Sequence, residues 1–300
     1  MADYKIITDS TSDLPQDLRD QYGIDFFRFG IVVDGKTQLP ADLNWEAYKP
    51  EEFYGWLSEG KKLKTNQLNL EEAFKRLTPY LDAGLDILYI GCTSALTGSL
   101  NVFRLAVEEL QEKYPERKFI CVDSLKSSMA EGMLVLDCAK KKAEGWSMEQ
   151  VADWANAHRN YYNFFATVDT LKYLKESGRI KGVAAFFGDI MGVKPIFISD
   201  KVGNNLTIKK VKGTKASMNE LFEGVKTVLM KEHCDTVYVG HANCIQRAEA
   251  LKQRIEDELK VEVRIVWMGP IIGTTCGPGL LATFARGREV TRIEGDGIQE

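Results

Sequence analysis

Apolar positions in the first half of the chain follow two alternating rhythms. Short runs at 5–8, 24–33, 87–90 and 119–122 have the length and β-branched content of strands, and three of them end in polar loops. Between them, segments 48–58, 70–81, 98–112 and 129–143 carry apolar residues at helical spacing; in 98–112 these are Leu100, Phe103, Val107 and Leu110. Gly23 and Gly145 stop helices, Asp34-Gly35 marks a tight turn, and Ser147 with Gln150 forms a capping-box pattern. Residues 61–69 read as a polar connection. The order β-α-β-α-β-α up to His158 predicts a mostly parallel sheet with helices on both faces.

Past His158 the rhythm changes. Strands are expected at 164–168, 194–199, 206–212, 236–241 and 262–268, with helices at 170–176, 216–231 and 246–259. Segments 194–199 and 206–212 face each other across Gly203-Asn204-Asn205, which predicts a hairpin and antiparallel pairing. Segment 271–279, IIGTTCGPG, reads as a tail closing in a turn before the apolar stretch 280–285. The fold class is α/β, with an N-terminal, mostly parallel sheet and an α+β second domain. Three hundred residues exceed one usual core, and the division is expected as 1–160 and 161–300.

Chemistry concentrates where strands end. Residues 8–15 read TDSTSDLP, 92–99 read CTSALTGS and 123–128 read DSLKSS, each leading into a helix. Ligands of open α/β sheets sit at such ends, because unbonded N–H groups at a helix start attract anions. A single serine caps a helix as readily as it binds a ligand, but Thr93, Ser94, Thr97 and Ser99 fall within seven residues. Asp9, Asp13 and Asp123 each adjoin a helix start, and capping explains them more simply than a metal ion, so no metal is expected. The dinucleotide fingerprint, the phosphate loop and the G-x-S-x-G elbow are absent. His158, His233 and His241 read as structural. Many hydroxyls and few acid–base groups suit holding a ligand better than transforming it.

Composition narrows the setting. A net charge of −4 and a pI near 5.6 give no general attraction for nucleic acid. No window has the length of a membrane span, and the N-terminus lacks a signal-like apolar region, so a cytoplasmic protein is expected, with at most transient membrane contact. Six cysteines without a C-x-x-C pair read as reduced, mostly buried thiols.

Taken together, these loops resemble the DegV family. The resemblance rests on TDSTSDLP at 8–15, the connection around Thr65, the S-x-L-[ST]-G loop at 94–98, Asp123-Ser124, T-L-x-Y-L-x-x-x-G-R-I at 170–180, Lys194-Pro195-Ile196, KVKGTKA at 210–216 and Gly277-Pro278-Gly279. It implies a two-domain protein that binds a long-chain fatty acid between its domains and needs no other cofactor. It also implies a role as the non-catalytic, acyl-carrying partner of a fatty acid kinase subunit, which phosphorylates the carboxylate for phospholipid synthesis. Carried over by position, Thr65 and Thr97 would hold the carboxylate, with the N–H groups near Gly98 and with Ser94 in the same loop. Arg179, Lys210, Lys212 and Lys215 would face the kinase subunit. The chain departs from the family pattern at Thr65-Asn66-Gln67-Leu68-Asn69, where T-S-Q-P-S is usual, and at Leu96-Thr97-Gly98-Ser99, where L-S-G-T is usual. Thr275 stands where H-x-G-P-G is common. A neutral donor there replaces a charge-assisted one about twice as strong. Two other readings compete: a lipid sensor that meets no kinase, and a hydrolase or transferase for a small anionic substrate.

Overall fold

The computed structural model describes residues 3–181 and 192–293; the remainder of the expected second domain, 182–191 and 294–300, lies outside the described residues. The first sheet is formed by β1 (Tyr4–Asp9), β2 (Asp25–Phe27), β6 (Asp86–Gly91) and β7 (Phe119–Asp123) in the order β2-β1-β6-β7, every pair parallel. All six residues of β6 are buried, as its unbroken apolar run requires of a strand covered on both faces. Helices α3 (Leu70–Asp82) and α4 (Ser99–Lys113) pack together against β6 and β7. Helix α5 (Ser128–Ala143) packs on β1 beside α1 (Gln16–Tyr22) and α6 (Met148–His158). The capping box forms as expected: Ser147 Oγ accepts the Gln150 N–H at 3.2 Å, and Gln150 Oε1 accepts the Ser147 N–H at 2.9 Å.

The strand expected over 24–33 is two strands in different sheets. β2 stops at Phe27, and β3 (Phe29–Val33) joins an antiparallel sheet of order β4-β3-β5 with β4 (Thr37–Ala41) and β5 (Leu63–Asn66). No glycine or proline marks the break; side chains from elsewhere make it. Ser10 Oγ donates to Phe27 O and accepts the Phe29 N–H, while Glu72 accepts the Arg28 N–H. β5 lies inside the segment read as a connection, because its exposed positions, Lys64 and Asn66, hide the alternation.

The second half builds a seven-stranded sheet of order β13-β12-β14-β8-β10-β11-β9. Its strands are β8 (Tyr162–Thr167), β9 (Ile180–Lys181), β10 (Val193–Ser199), β11 (Asn205–Lys212), β12 (Thr236–His241), β13 (Glu262–Trp267) and β14 (Leu281–Arg286). The expected hairpin is β10–β11, and the Asp200 carboxylate holds its turn by accepting the N–H groups of Val202 and Asn204. β14 inserts between β12 and β8, antiparallel to both. Helices α8 (Thr214–Val228) and α9 (Ile245–Leu259) pack on this sheet. Most of the segment read as a glycine-threonine tail lies in a helix, α10 (Pro270–Cys276), started by Pro270 at its first position and packed against α2 (Pro50–Ser58) and α7 (Lys172–Ser177).

Candidate functional site

Four elements bring the five expected ligand residues to one place. Thr65 lies on β5 opposite Ile31, Ser94 and Thr97 in the loop after β6, Gly98 at the N-cap of α4, and Thr275 in the last turn of α10. All five, with Arg179 from the turn after α7, border a single cavity of about 890 Å³. That volume is in the range of small-molecule binding sites. Lys210, Lys212 and Lys215 do not line it; they are exposed on β11 and the first turn of α8.

The four hydroxyls of the 93–99 loop divide. Thr93 and Ser99 are buried and brace the loop: Thr93 Oγ1 accepts the Ala95 N–H, and Ser99 Oγ accepts the Leu68 N–H at 3.2 Å. Ser94 is exposed, and its hydroxyl donates to Asp123 at 2.6 Å. Thr97 Oγ1 lies 2.8 Å from Ser99 Oγ on the cavity wall. The Gly98 N–H donates to Gln67 Oε1 at 3.0 Å, and a Cβ on Gly98 would stand 2.6 Å from that oxygen, so only glycine permits this approach. A neutral amide oxygen thus sits where the α4 dipole favours negative charge. Thr275 Oγ1 donates to Ile271 O at 3.0 Å, so its proton is engaged within its own helix.

The facing wall is one side of the seven-stranded sheet. Ala282 pairs with Ala166, Phe284 with Phe164, and Phe197 with Ala166, which sets these side chains on a common face bordering the cavity. Phe165 and Thr283 point the other way, toward Gly224 and Leu221 of α8. This apolar wall follows from strand register, which the sequence alone does not disclose; Gln67 likewise carried no local signal of its contact with α4.

The ends of β1, β6 and β7 close the interior of the cavity with Thr11, Cys92, Ser127 and Ser128, all buried. Behind them lie three buried carboxyl groups. Asp9 accepts the Thr11 N–H at 2.9 Å, the Tyr89 O–H at 2.7 Å and the Cys92 N–H at 3.0 Å. Thr11 Oγ1 is 2.5 Å from Asp9 Oδ1 and 2.8 Å from Glu131 Oε2. A hydroxyl has one proton to give. With Asp9 receiving it, Glu131 holds its own proton and donates to Thr11, in keeping with burial, which pushes Glu131 well above the glutamate range. Asp13 accepts the Ser128 O–H at 2.6 Å and the Gly269 N–H at 2.8 Å, and burial pushes it up to about 7.

These aspartates do not cap the helices that follow them in sequence. Pro15 and Ser127 are the N-caps of α1 and α5, and neither helix has a side-chain cap. The carboxylates instead tie strand-end loops to one another, with Asp123 binding Ser94 and the Leu125 N–H. Among the described residues no group of three or more His, Cys, Asp or Glu side chains is placed to hold a metal ion. His241 is buried against Trp267 and burial pushes it down to about 4, so it stays neutral, as a structural histidine does. All six cysteines are free, five of them buried.

A profile of the family described as "Uncharacterised protein, DegV family" matches residues 3–287. The chain belongs to the DegV family. Among its DegV relatives, a DegV domain-containing protein of Clostridium perfringens is 31% identical over 288 residues, 96% of this chain and 98% of that one. A DegV family protein of Thermus thermophilus, solved for its fatty acid binding, superposes with a TM-score of 0.83 at 27% identity, covering 95% of this chain and 100% of that one. The Streptococcus pneumoniae Fatty Acid Kinase B3 protein, loaded with linoleic acid, superposes with a TM-score of 0.78 over 95% of this chain and 100% of that one; at 17% identity this likeness carries the DegV fold alone. Among the described residues no helix is long and apolar enough to cross a membrane.

Proposed function

We propose that this protein binds one long-chain fatty acid in the cavity, with the carboxylate among Thr65, Thr97, Gly98 and Thr275 and the acyl chain against the seven-stranded sheet. The observation that carries the reading is the cavity itself: a rim of exposed polar residues such as Ser94, Asn101 and Arg179, and an inner wall of Phe164, Phe197 and Phe284. Burying ~15 methylenes at roughly 0.8 kcal/mol each gives on the order of 12 kcal/mol. Association and chain ordering offset several kcal/mol of that, leaving binding in the micromolar-to-nanomolar range. The chain length supplies affinity and the head group sets orientation. The fatty acid binding of the Thermus thermophilus relative supports the same reading.

The proposal extends to a carrier role. The chain divides near residue 160, the acyl chain lies between the two units, and Arg179 with Lys210, Lys212 and Lys215 forms the surface that meets a separate kinase subunit. The protein then supplies no catalytic group of its own, and works in the cytoplasm. Added palmitate or oleate raises the melting temperature of delipidated protein, because a ligand bound only to the folded state stabilises it by mass action. Glutamate at the three lysines keeps that shift and abolishes acyl phosphate formation with an added kinase subunit. An unchanged melting temperature contradicts the binding reading; full acyl phosphate formation by the lysine variant contradicts the docking surface.

A further inference from the structure

The interior end of the cavity is not apolar. Helix α5, sixteen residues long, begins there, and its N-cap Ser127 lines the cavity at 5% exposure. Ser127 gives its helix no side-chain cap, and its hydroxyl has no hydrogen-bond partner among the described residues. Ser12 and Thr274 also carry unpartnered hydroxyls, but those oxygens are sealed inside the protein, whereas the Ser127 oxygen is not. The neighbouring hydroxyls are engaged: Thr11 lies between Asp9 and Glu131, and Ser128 donates to Asp13. The positive end of a long helix and one unused hydroxyl therefore face a space whose lining also includes Phe164, Phe197, Phe284, Ile271 and Ile272. An unsubstituted hydrocarbon tail would leave both unsatisfied, and burying a polar group without a partner is unfavourable.

We propose that this end of the cavity is a polar subsite for a hydroxyl group carried on the acyl chain, which makes hydroxylated long-chain fatty acids a ligand class of this protein; the inference rests on the fatty-acid reading above. A hydroxyl suits the subsite better than a second carboxylate. Asp9, Asp13 and Glu131 stand directly behind Thr11 and Ser128, and a carboxylate there would add a further acid group to a buried cluster that already holds three. A hydroxyl accepts from an N–H of the first turn of α5 while donating to Ser127 Oγ.

Calorimetric titration of delipidated protein with stearate, with monohydroxystearates whose hydroxyl moves from mid-chain to the terminal carbon, and with the dicarboxylic acid of equal length tests this. In wild type one of the monohydroxystearates binds about three- to tenfold tighter than stearate. Ser127→Ala loses that preference, and Ser127→Thr keeps it. The melting temperature of ligand-free Ser127→Ala stays at the wild-type value, because the hydroxyl caps nothing. The inference is overturned if stearate binds wild type as tightly as every hydroxylated acid, if Ser127→Ala keeps the preference, or if the dicarboxylic acid binds tightest. Failure of every acid to bind would instead overturn the fatty-acid reading.

Discussion

Ser94 and Thr97 share one loop at the cavity rim, yet their hydroxyls differ in what they have left to give. Ser94 donates to Asp123 at 2.6 Å, so replacing it disturbs an exposed loop contact and little else. Among the described residues Thr97 Oγ1 pairs only with Ser99 Oγ and the Ser99 N–H, both in its own turn, and can reorient toward a carboxylate. Thr97→Ala should therefore weaken fatty acid binding by about 1.5 to 3 kcal/mol, the value of a hydrogen bond to a charged group, and Ser94→Ala by less. Equal affinities of the two variants in calorimetry would remove Thr97 from the head-group site. Both residues stood out in the sequence as part of a hydroxyl cluster. Their different fates did not, because they depend on Asp123 and on Ser99, whose positions are fixed by β7 and by the start of α4.

At the scale of elements, β1, β6 and β7 with their helices were legible because these strands read as short apolar runs, β6, buried along its whole length, above all. The three-stranded sheet was not. β5 alternates half-buried and exposed residues, and the break between β2 and β3 is made by Ser10 and Glu72 from elsewhere in the chain. Helix α10 was hidden for a related reason: glycine and threonine are poor helix formers, and the helix is held by what surrounds it. Tyr54 O–H donates to Met268 O just before it, and Gly273 lies against Tyr54 and Phe53 so closely that a Cβ would fall 2.6 Å from the tyrosine oxygen and 2.7 Å from the phenylalanine ring. Gly273→Ala should destabilise the fold by about 1 to 3 kcal/mol through overpacking, although alanine is the better helix former. A gain of stability in urea unfolding would show that α10 is not docked in this way.

Across the whole molecule, Asp13 joins parts far apart in sequence: the loop after β1, the start of α5 through Ser128 and the start of α10 through Gly269. Its carboxyl is pushed up to about 7 by burial, against about 3.9 for an unfolded aspartate. Between those values the folded state holds a proton that the unfolded state has released. The contribution of Asp13 is therefore complete below the lower value and is lost as pH rises toward 7. Glu131, also raised by burial, acts in the same direction. Asp13→Asn should flatten this decline in urea unfolding measured across the window, and an unchanged slope would place the titration elsewhere. The same packing of the sheet ends against the seven-stranded sheet shapes the cavity, and what fills it is the central claim. Native mass spectrometry of the purified protein, before and after delipidation, tests that claim most directly. The expected result is a mass excess equal to one long-chain fatty acid, lost on delipidation and regained with added palmitate or oleate; a bare polypeptide mass at every stage would contradict the account.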